Sequence, residues 1–176
     1  MRTFIALSLP KNAIEMLCAV QDKLLESGSG GRIVPSENMH ITLRFLGELD
    51  QAMTQKVCDL VREQYANTPA PLINMDGIGA FVQSGGDTVY AHLGGNFHEI
   101  VELQKSLTRS LQGMGIQPEN RPFTPHITLL RNASFGNKLL NAHSEAFLCT
   151  SICVYSSNLA PSGATYTKLQ ECILPR

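Results

Sequence analysis

The chain alternates between short β-rich runs and longer stretches in which apolar residues have helical spacing, and this order of patterns occurs twice. Residues 4–9 and 89–93 are β-rich, and a proline or glycine turn follows each run. The next stretch in each half carries apolar residues three and four positions apart, which places them on one face of a helix. These residues are Ile14, Leu17, Val20 and Leu24 in the first half and Ile100, Leu103, Leu107 and Leu111 in the second.

The two predicted helices also have similar sequences at their ends. Asn12 and Asn96 stand three residues before Glu15 and Glu99, a relaxed capping box in which the Asn side chain accepts a hydrogen bond from a first-turn N–H. The glycine-containing segments ESGSGG and GMG follow the helices and are typical of helix C-termini. A loop with proline then leads into another strand, so we predict two strand–helix–strand units.

A nearly constant offset relates the two units and indicates an internal duplication. The matching pairs are Thr3 and Thr88, Ala6 and Ala91, Leu9 and Leu93, Asn12 and Asn96, and Glu15 and Glu99, at offsets of 85 or 84. The offset is 86 at an identical motif, HITL, which begins at His40 and again at His126. A register shared over about forty residues is typical of repeated supersecondary units. We assign the units to about residues 3–49 and 88–133 of a single domain, 1–176.

The residues outside the units supply supporting structure. Asp50 is placed to cap a third helix, whose inner stripe contains Met53, Val57 and Leu60 and is interrupted at Gln64. Further strands are predicted at residues 71–82, 146–155 and 164–174. We therefore expect an α+β fold in which two pseudo-symmetric lobes, each an antiparallel sheet flanked by helices, face one another across a central cleft.

Composition and charge narrow the class of protein. Hydrophobic residues make up 43% of the 176 residues and charged residues 16%, which are globular values. A net charge of −1 gives no broad electrostatic footprint for nucleic acid, so a nucleic-acid substrate would be held locally, for instance at one end. No apolar run has the length of a membrane span, and the start lacks a secretory pattern. The five cysteines form no CxxC pair, which favours free thiols, and we expect a cytoplasmic monomer that binds no membrane.

The repeated HITL motif places polar side chains together on a strand. Residues two positions apart share a face, so His40 and Thr42 point one way while Ile41 points the other. His126 and Thr128 repeat this arrangement. Because a pseudo-twofold fold brings equivalent strands of facing lobes together, the cleft is expected to contain two imidazoles and two hydroxyls around one point.

Two histidines on either side of one point suit acid–base catalysis at phosphorus. A neutral imidazole removes a proton from the nucleophile, a protonated one donates a proton to the leaving group, and a pKa near neutrality makes both forms accessible. Threonine hydroxyls and a nearby cation would hold the phosphoryl oxygens. A structural role is commoner for a single strand histidine, but the duplication of the motif favours function.

Zinc binding is the competing interpretation of the histidine pair. It is disfavoured because the motifs provide no third or fourth protein ligand, which zinc sites usually have. His92, His98 and His143 stand outside the repeated motif, and we interpret them as ordinary surface or core histidines.

Two arginines are candidates for the phosphate-binding cation. Arg44 stands four positions after His40, so strict alternation predicts that the two share a face. Arg131 stands an odd number of positions after His126, and only a bulge or a strand end after Leu130 would turn it toward the cleft. A guanidinium fork matches phosphate oxygens, although either arginine can also be a solvated surface charge.

The segments HITLRFLGEL and RPFTPHITLLR resemble the paired signatures of the two-histidine (2H) phosphoesterases. Within that superfamily the chain is most similar to the RNA 2',3'-cyclic phosphodiesterases, also called LigT-like 2'-5' RNA ligases. The similarity spans nearly the whole chain and includes the opening FIALSLP. It implies a bilobal fold with a catalytic histidine pair in the central cleft, and an enzyme that uses no metal or nucleotide cofactor.

The resemblance also implies a reaction and a role for each site residue. An RNA or nucleotide with a 2',3'-cyclic phosphate end would be hydrolysed to a 2'-phosphate. His40 would be the proton donor to the leaving 3' oxygen, and His126 would be the proton acceptor that activates water. The residues that the resemblance implies hold the phosphate are Thr42, Thr128 and Arg131. Arg44 stays a candidate because of its alternation with His40, but with less weight, since its position varies in the family.

Two other functions stay open at this point. The same site in reverse would join a 2',3'-cyclic end to a 5'-hydroxyl as a 2'-5' linkage, although bulk water competes with that reaction. A non-catalytic protein that binds RNA ends or nucleotides would need the cations and hydroxyls but not two imidazoles. The intact histidine pair therefore argues against simple binding.

Overall fold

The computed structural model of the chain describes residues 1–135 and 142–176, which form nine strands and three α-helices. The strands are β1 (Arg2–Ser8), β2 (Arg32–Ile33), β3 (Ile41–Glu48), β4 (Leu72–Phe81), β5 (Asp87–Gly95), β6 (His126–Ala133), β7 (Phe147–Leu148), β8 (Ser151–Ala160) and β9 (Gly163–Ile173). The helices are α1 (Lys11–Glu26), α2 (Gln51–Gln64) and α3 (Phe97–Gly113). None of the helices in these ranges is both long enough and apolar enough to cross a membrane.

The strands form two antiparallel sheets, which confirms the predicted α+β class. One sheet has the order β3-β1-β8-β9 and the other has the order β2-β6-β5-β4-β7. The strands on either side of α1 and α3 are hydrogen-bonded neighbours, β1 with β3 and β5 with β6. Since β2 pairs with β6, the chain crosses from the first sheet to the second beside a His-x-Thr strand.

One hydrophobic core contains residues of both sheets and of the helices that cross them. Helix α1 contacts β6 and helix α3 contacts β3, so each helix packs against a strand from the other half of the chain. The predicted helical stripes account for this packing, except that Ile14 is only partly buried. The buried stripe residues are Leu17, Val20, Leu24, Ile100, Leu103, Leu107 and Leu111.

The predicted Asn caps of α1 and α3 are wrong. Helix α1 begins at Lys11 with Pro10 at its N-cap, so Asn12 lies inside the first turn. Pro10 has φ −71°, close to the value that its ring imposes, and the extended chain before the helix suits that angle. Asn96 does occupy the N-cap of α3, but its side chain makes no capping hydrogen bond.

Helix α2 starts as predicted, and its buried stripe differs from the predicted one only in part. The carboxylate of Asp50 accepts a 2.7 Å hydrogen bond from the N–H of Met53, which confirms the predicted cap. Leu60 is partly buried and packs against the core, as predicted, whereas Met53 is only partly buried and does not belong to the core. The residues that α2 buries are Thr54, Val57, Cys58 and Val61.

The predicted strand at residues 146–155 is in fact two strands that belong to different sheets. Strand β7 pairs with β4, and β8 pairs with β1. Between them, the N–H of Cys149 donates to the carbonyl of Pro71 and the N–H of Thr150 donates to the carbonyl of Ser8. The two residues therefore pass the chain from one sheet to the other, which the hydrophobic pattern alone does not reveal.

Candidate active site

The first His-x-Thr strand contains a β-bulge just beyond the motif. Thr42 pairs with Ala6 of β1 while Arg44 pairs with the neighbouring Ile5, so Leu43 is an extra residue in β3. The bulge interrupts the alternation, and Leu43 and Arg44 are both buried. Arg44 therefore lies on the face opposite to Thr42, with 1% of its surface exposed. The expectation that Arg44 shares a face with the motif histidine is wrong.

The second His-x-Thr strand has the same bulge, with the opposite consequence for its arginine. Thr128 pairs with Tyr90 of β5, whereas Leu130 pairs with the residue next to Tyr90, so Leu129 is extra. Leu129 and Leu130 are both buried, and Arg131 turns to the face that carries Thr128. A bulge thus returns Arg131 to the cleft, as the sequence allowed. The bulge is at Leu129, whereas the sequence predicted it after Leu130.

A cavity of about 230 Å³ lies between the two sheets and collects residues from both repeats. His40 lines it just before β3, and Thr128 and Arg131 line it from β6. Three of the residues predicted from the motifs therefore line one cavity, whereas Thr42 and His126 are not among its described lining residues. Its other lining residues are Arg32, Ile33, Val34, Pro35, Asn38, Ser162, Gly163, Ala164 and Tyr166.

Both motif histidines are oriented by a backbone carbonyl two residues upstream. Nδ1 of His40 lies 2.6 Å from the carbonyl oxygen of Asn38, and Nδ1 of His126 lies 2.7 Å from that of Thr124. A carbonyl only accepts, so Nδ1 carries the hydrogen in each ring and Nε2 is the nitrogen left for proton transfer. Nε2 of His40 also lies 2.8 Å from Oγ1 of Thr42, which ties the motif hydroxyl to its histidine.

Burial favours the neutral form of both imidazoles. It is the main reason that the pKa of His40 is lowered to about 4; the hydrogen bond to Asn38 opposes this effect, and the charges of Arg131 and His126 add to it. The pKa of His126 is also lowered, mainly by burial and then by the charges of Arg131 and His92. The expectation that both forms are accessible near neutral pH is therefore wrong for His40 in the ligand-free chain.

Aromatic rings surround each motif histidine, and sequence reasoning missed them. The ring-centroid distances are 5.1 Å from His40 to Phe4 and 5.5 Å to Tyr166, and 5.2 Å from His126 to both Tyr90 and Phe81. These rings come from β1, β9, β5 and β4. They are far from the motifs along the chain, and only the sheet order brings them to the cleft.

His92 lies beside His126, although its sequence context indicates an ordinary histidine. The two residues are cross-strand partners in β5 and β6. The ring of His92 packs edge-on against Tyr90, with 4.9 Å between ring centroids. Gly79 leaves the necessary room, since a Cβ there would lie 2.5 Å from Nε2 of His92 and 2.9 Å from the ring of Tyr90. No motif in the sequence marks His92, because its position follows from the register of the sheet.

His40 is the only histidine among the described residues that line the cavity, and His98 and His143 have other surroundings. His98 stacks on Phe97 at the start of α3, with 4.3 Å between ring centroids. His143 is exposed, and its Nδ1 lies 2.8 Å from a carboxylate oxygen of Asp76. Across residues 1–135 and 142–176, no group of three or more His, Cys, Asp or Glu side chains is placed to hold a metal ion.

Comparison with known proteins finds relatives that match nearly the whole chain. A family model described as the 2'-5' RNA ligase superfamily matches residues 23–159, which include both His-x-Thr motifs. A Thermotoga maritima protein named RNA 2',3'-cyclic phosphodiesterase is 29% identical over 98% of this chain and 95% of its own. A Methanocaldococcus jannaschii protein of the same name is 28% identical over 97% of this chain and 99% of its own.

Solved structures have the same fold. The crystal structure of Escherichia coli LigT complexed with 3'-AMP matches with a TM-score of 0.81 and 29% identity, and the match covers 99% of this chain and 98% of LigT. A Thermus thermophilus protein matches with a TM-score of 0.85 at 24% identity, over 99% of this chain and 98% of that protein. The second match bears on the fold alone.

Proposed function

This chain belongs to the 2'-5' RNA ligase superfamily, and we propose that it is an RNA 2',3'-cyclic phosphodiesterase that hydrolyses the cyclic end to a 2'-phosphate. The family inferred from the two motifs is therefore confirmed. Curated relatives that cover nearly the whole chain are named for this activity, which supports both the substrate and the type of reaction.

One observation carries the proposal, namely that motif residues of both repeats line the cleft between the sheets, with Arg131 among them. His40, Thr128 and Arg131 line the same cavity. The charge of Arg131 lowers the pKa of both His40 and His126, so its guanidinium lies within electrostatic range of both rings. A phosphoryl group bound by Arg131 would therefore lie near both imidazoles.

The proposed reaction is an in-line displacement at phosphorus with two proton transfers. Nε2 of His126 accepts a proton from water as the water oxygen bonds to phosphorus. The bond from phosphorus to the 3' oxygen breaks, and Nε2 of His40 donates a proton to that oxygen. Arg131 and the hydroxyls of Thr42 and Thr128 hold the phosphoryl oxygens. One water is consumed, and the products are a 2'-phosphomonoester and a 3'-hydroxyl.

The donor role of His40 sets a condition on its pKa. With a pKa of about 4 in the ligand-free chain, the ring is neutral at pH 7 and has no proton to donate from Nε2. A bound phosphate anion favours the charged imidazole and raises its pKa. It also pairs with Arg131, whose charge lowers that pKa in the free protein. We therefore propose that substrate binding brings the proton onto His40.

The aromatic walls support a nucleotide as the group attached to the phosphate. Phe4, Tyr155 and Tyr166 form a cluster beside His40, with the ring of Phe4 5.2 Å from Tyr155 and 4.9 Å from Tyr166. Aromatic side chains bind nucleobases by stacking, with typical gains of about 1–3 kcal/mol per base. LigT, which has the same fold, was crystallised as a complex with 3'-AMP, and this supports a nucleotide ligand here.

Ligation is the second candidate function, and the description of the matched family favours it. Reversal of the proposed reaction would use an RNA 5'-hydroxyl where hydrolysis uses water. The two reactions use the same site residues and differ only in the nucleophile, which is water in hydrolysis and an RNA 5'-hydroxyl in ligation. We rank hydrolysis first because water is present at far higher concentration. That the chain works as a monomer in the cytoplasm stays a prediction.

The proposal is tested by incubation with an oligoribonucleotide that ends in a 2',3'-cyclic phosphate, with excess EDTA, and separation of the 2'- and 3'-phosphate products. We expect the 2'-phosphate alone. A 3'-phosphate product would contradict the proposed bond cleavage, and tight binding without product would favour the non-catalytic alternative. Addition of a 5'-hydroxyl RNA measures ligation, which becomes the main function if joined RNA exceeds hydrolysed RNA.

A further inference from the structure

Arg44, which the bulge removes from the cleft, is buried without a counter-charge. Only 1% of its surface is exposed. Its Nη2 donates to the carbonyl of Gln117, but Nε and Nη1 have no hydrogen-bond partner among the described residues. None of the carboxylates in residues 1–135 and 142–176 forms an ion pair with Arg44. Burial of an unpaired charge is strongly unfavourable, so an anion bound next to the Arg44 guanidinium would stabilise the protein.

Arg44 lines a second cavity, of about 310 Å³, that shares no lining residue with the cleft. Its walls come from α3, which contributes Lys105, Thr108 and Arg109, and from the segment after α3, which contributes Arg121. Oγ1 of Thr108 is also buried and lacks a hydrogen-bond partner among the described residues. Three buried polar atoms, from two side chains, are thus unsatisfied around one cavity.

The charge of this cavity is strongly positive in a chain whose net charge is −1. Four of its lining residues are cationic, and Glu119 is the one carboxylate among them. Lys105 is partly neutralised by Glu102 at 3.3 Å. Arg109 and Arg121, by contrast, form no ion pair with any described residue, and both are exposed. The missing partner of Arg44 is therefore best supplied by a ligand.

We propose that this cavity is a second anion site that binds a phosphate group. Guanidinium forks match phosphate oxygens, and a threonine hydroxyl can donate a further hydrogen bond. The phosphate can be a free anion or a phosphodiester of the RNA backbone. The second source accounts for how a chain of net charge −1 holds RNA locally, since cationic side chains that neutralise phosphates supply most sequence-independent affinity.

The position of the cavity separates its ligand from the reacting phosphate. Arg44 and Thr42 lie on opposite faces of β3, so a mononucleotide in the cleft does not reach the cavity. The proposal does not rest on the proposed hydrolysis, because binding at Arg44 is measured without turnover. A protein that hydrolyses no RNA can still bind phosphate there, and an active enzyme can fail to do so.

The test is an NMR titration that observes the Nε–H resonance of Arg44, assigned by its absence in Arg44→Lys. Inorganic phosphate is the first probe, and an octaribonucleotide with hydroxyl ends is the second. The titrations are repeated with the double variant Arg109→Gln/Arg121→Gln, in which only exposed residues change. Arg2→Gln is the matched control, because Arg2 is an exposed arginine outside both cavities.

We expect at least one probe to shift the Arg44 resonance saturably, with affinity about tenfold weaker in the double variant and unchanged in Arg2→Gln. A shift with phosphate alone assigns the site to a free anion, and a shift with the oligonucleotide alone assigns it to the RNA backbone. The proposal is overturned if neither probe shifts the Arg44 resonance. It is also overturned if the double variant binds as tightly as the parent.

Discussion

Phe45 and Arg131 occupy equivalent positions in the two repeats, each five residues after the motif histidine and just beyond the bulge. The ring of Phe45 lies 6.0 Å from that of Phe4, on the face that carries the motif. Arg131 instead lines the cavity between the sheets. A frame built from repeated units thus carries an aromatic side chain at this position in one repeat and a cation in the other.

Arg131→Ala is expected to lower kcat/KM by roughly 10- to 100-fold, because it removes charge-assisted hydrogen bonds to the phosphate. Arg44→Ala is expected to lower it less, because Arg44 lies on the opposite face of β3. Steady-state kinetics on a 2',3'-cyclic mononucleotide compare the two variants. A larger loss for Arg44→Ala would contradict the placement of the phosphate beside Arg131.

The pH dependence of kcat/KM is expected to have its optimum below pH 6.5. This parameter reports the free enzyme, in which the pKa of His40 is about 4 and that of His126 is also lowered. Bound phosphate raises both pKa values, so the optimum of kcat should lie at higher pH. The two profiles, measured on one substrate, check this. Coincident optima would contradict the proposal that the substrate brings the proton onto His40.

Folding stability should depend on pH through His40. Between about pH 6.5 and 4 the unfolded chain binds a proton that folded His40 does not, so the free energy of unfolding falls as pH falls through this window. The effect is up to about 3 kcal/mol. Urea unfolding of His40→Gln should show a smaller loss between pH 7 and 4. His98→Gln, at an exposed histidine of α3, is the control and should retain the parental loss.

Turnover should persist after chelation and dialysis of metals. The described residues contain no cluster of three potential metal ligands, and the proposed chemistry uses imidazole, guanidinium and hydroxyl groups. The measurement is the rate of 2'-phosphate formation before and after treatment with EDTA. Loss of activity that zinc or manganese restores would contradict the mechanism.

The sequence predicts the elements of the fold well because the patterns that encode them are local. The helical spacing at Leu103, Leu107 and Leu111 corresponds to a buried face of α3, and the duplicated order of patterns corresponds to neighbouring strands in each sheet. Asp50 is a cap because its carboxylate reaches an N–H three residues away. Features that depend on contact between distant segments, such as the passage of residues 149–150 between the sheets, have no local signal.

The sequence predicts which histidines belong to the candidate site, but it does not predict reliably on which face of its strand each arginine lies. Strict alternation gives the wrong face for Arg44, because the bulge at Leu43 reverses the parity of β3. The lowered pKa of His40 is likewise invisible in the sequence, since burial causes most of it. The structural alignment of β1 with β5 also differs from the sequence alignment. Thr42 pairs with Ala6 and Thr128 pairs with Tyr90, so Ala6 corresponds to Tyr90 at an offset of 84, whereas residue identity aligns Ala6 with Ala91 at an offset of 85.

The most direct test of the two-histidine mechanism compares His40→Ala and His126→Ala on two substrates. On a 2',3'-cyclic ribonucleotide, each variant should lose roughly 10² to 10⁴ in rate, and the double variant should be little worse than either. A nitrophenyl phosphodiester has a leaving group that needs no proton, so it should be much less sensitive to His40→Ala than to His126→Ala. Equal losses on both substrates with His40→Ala would contradict the donor role of His40, and the reversed pattern would mean that His126 is the donor.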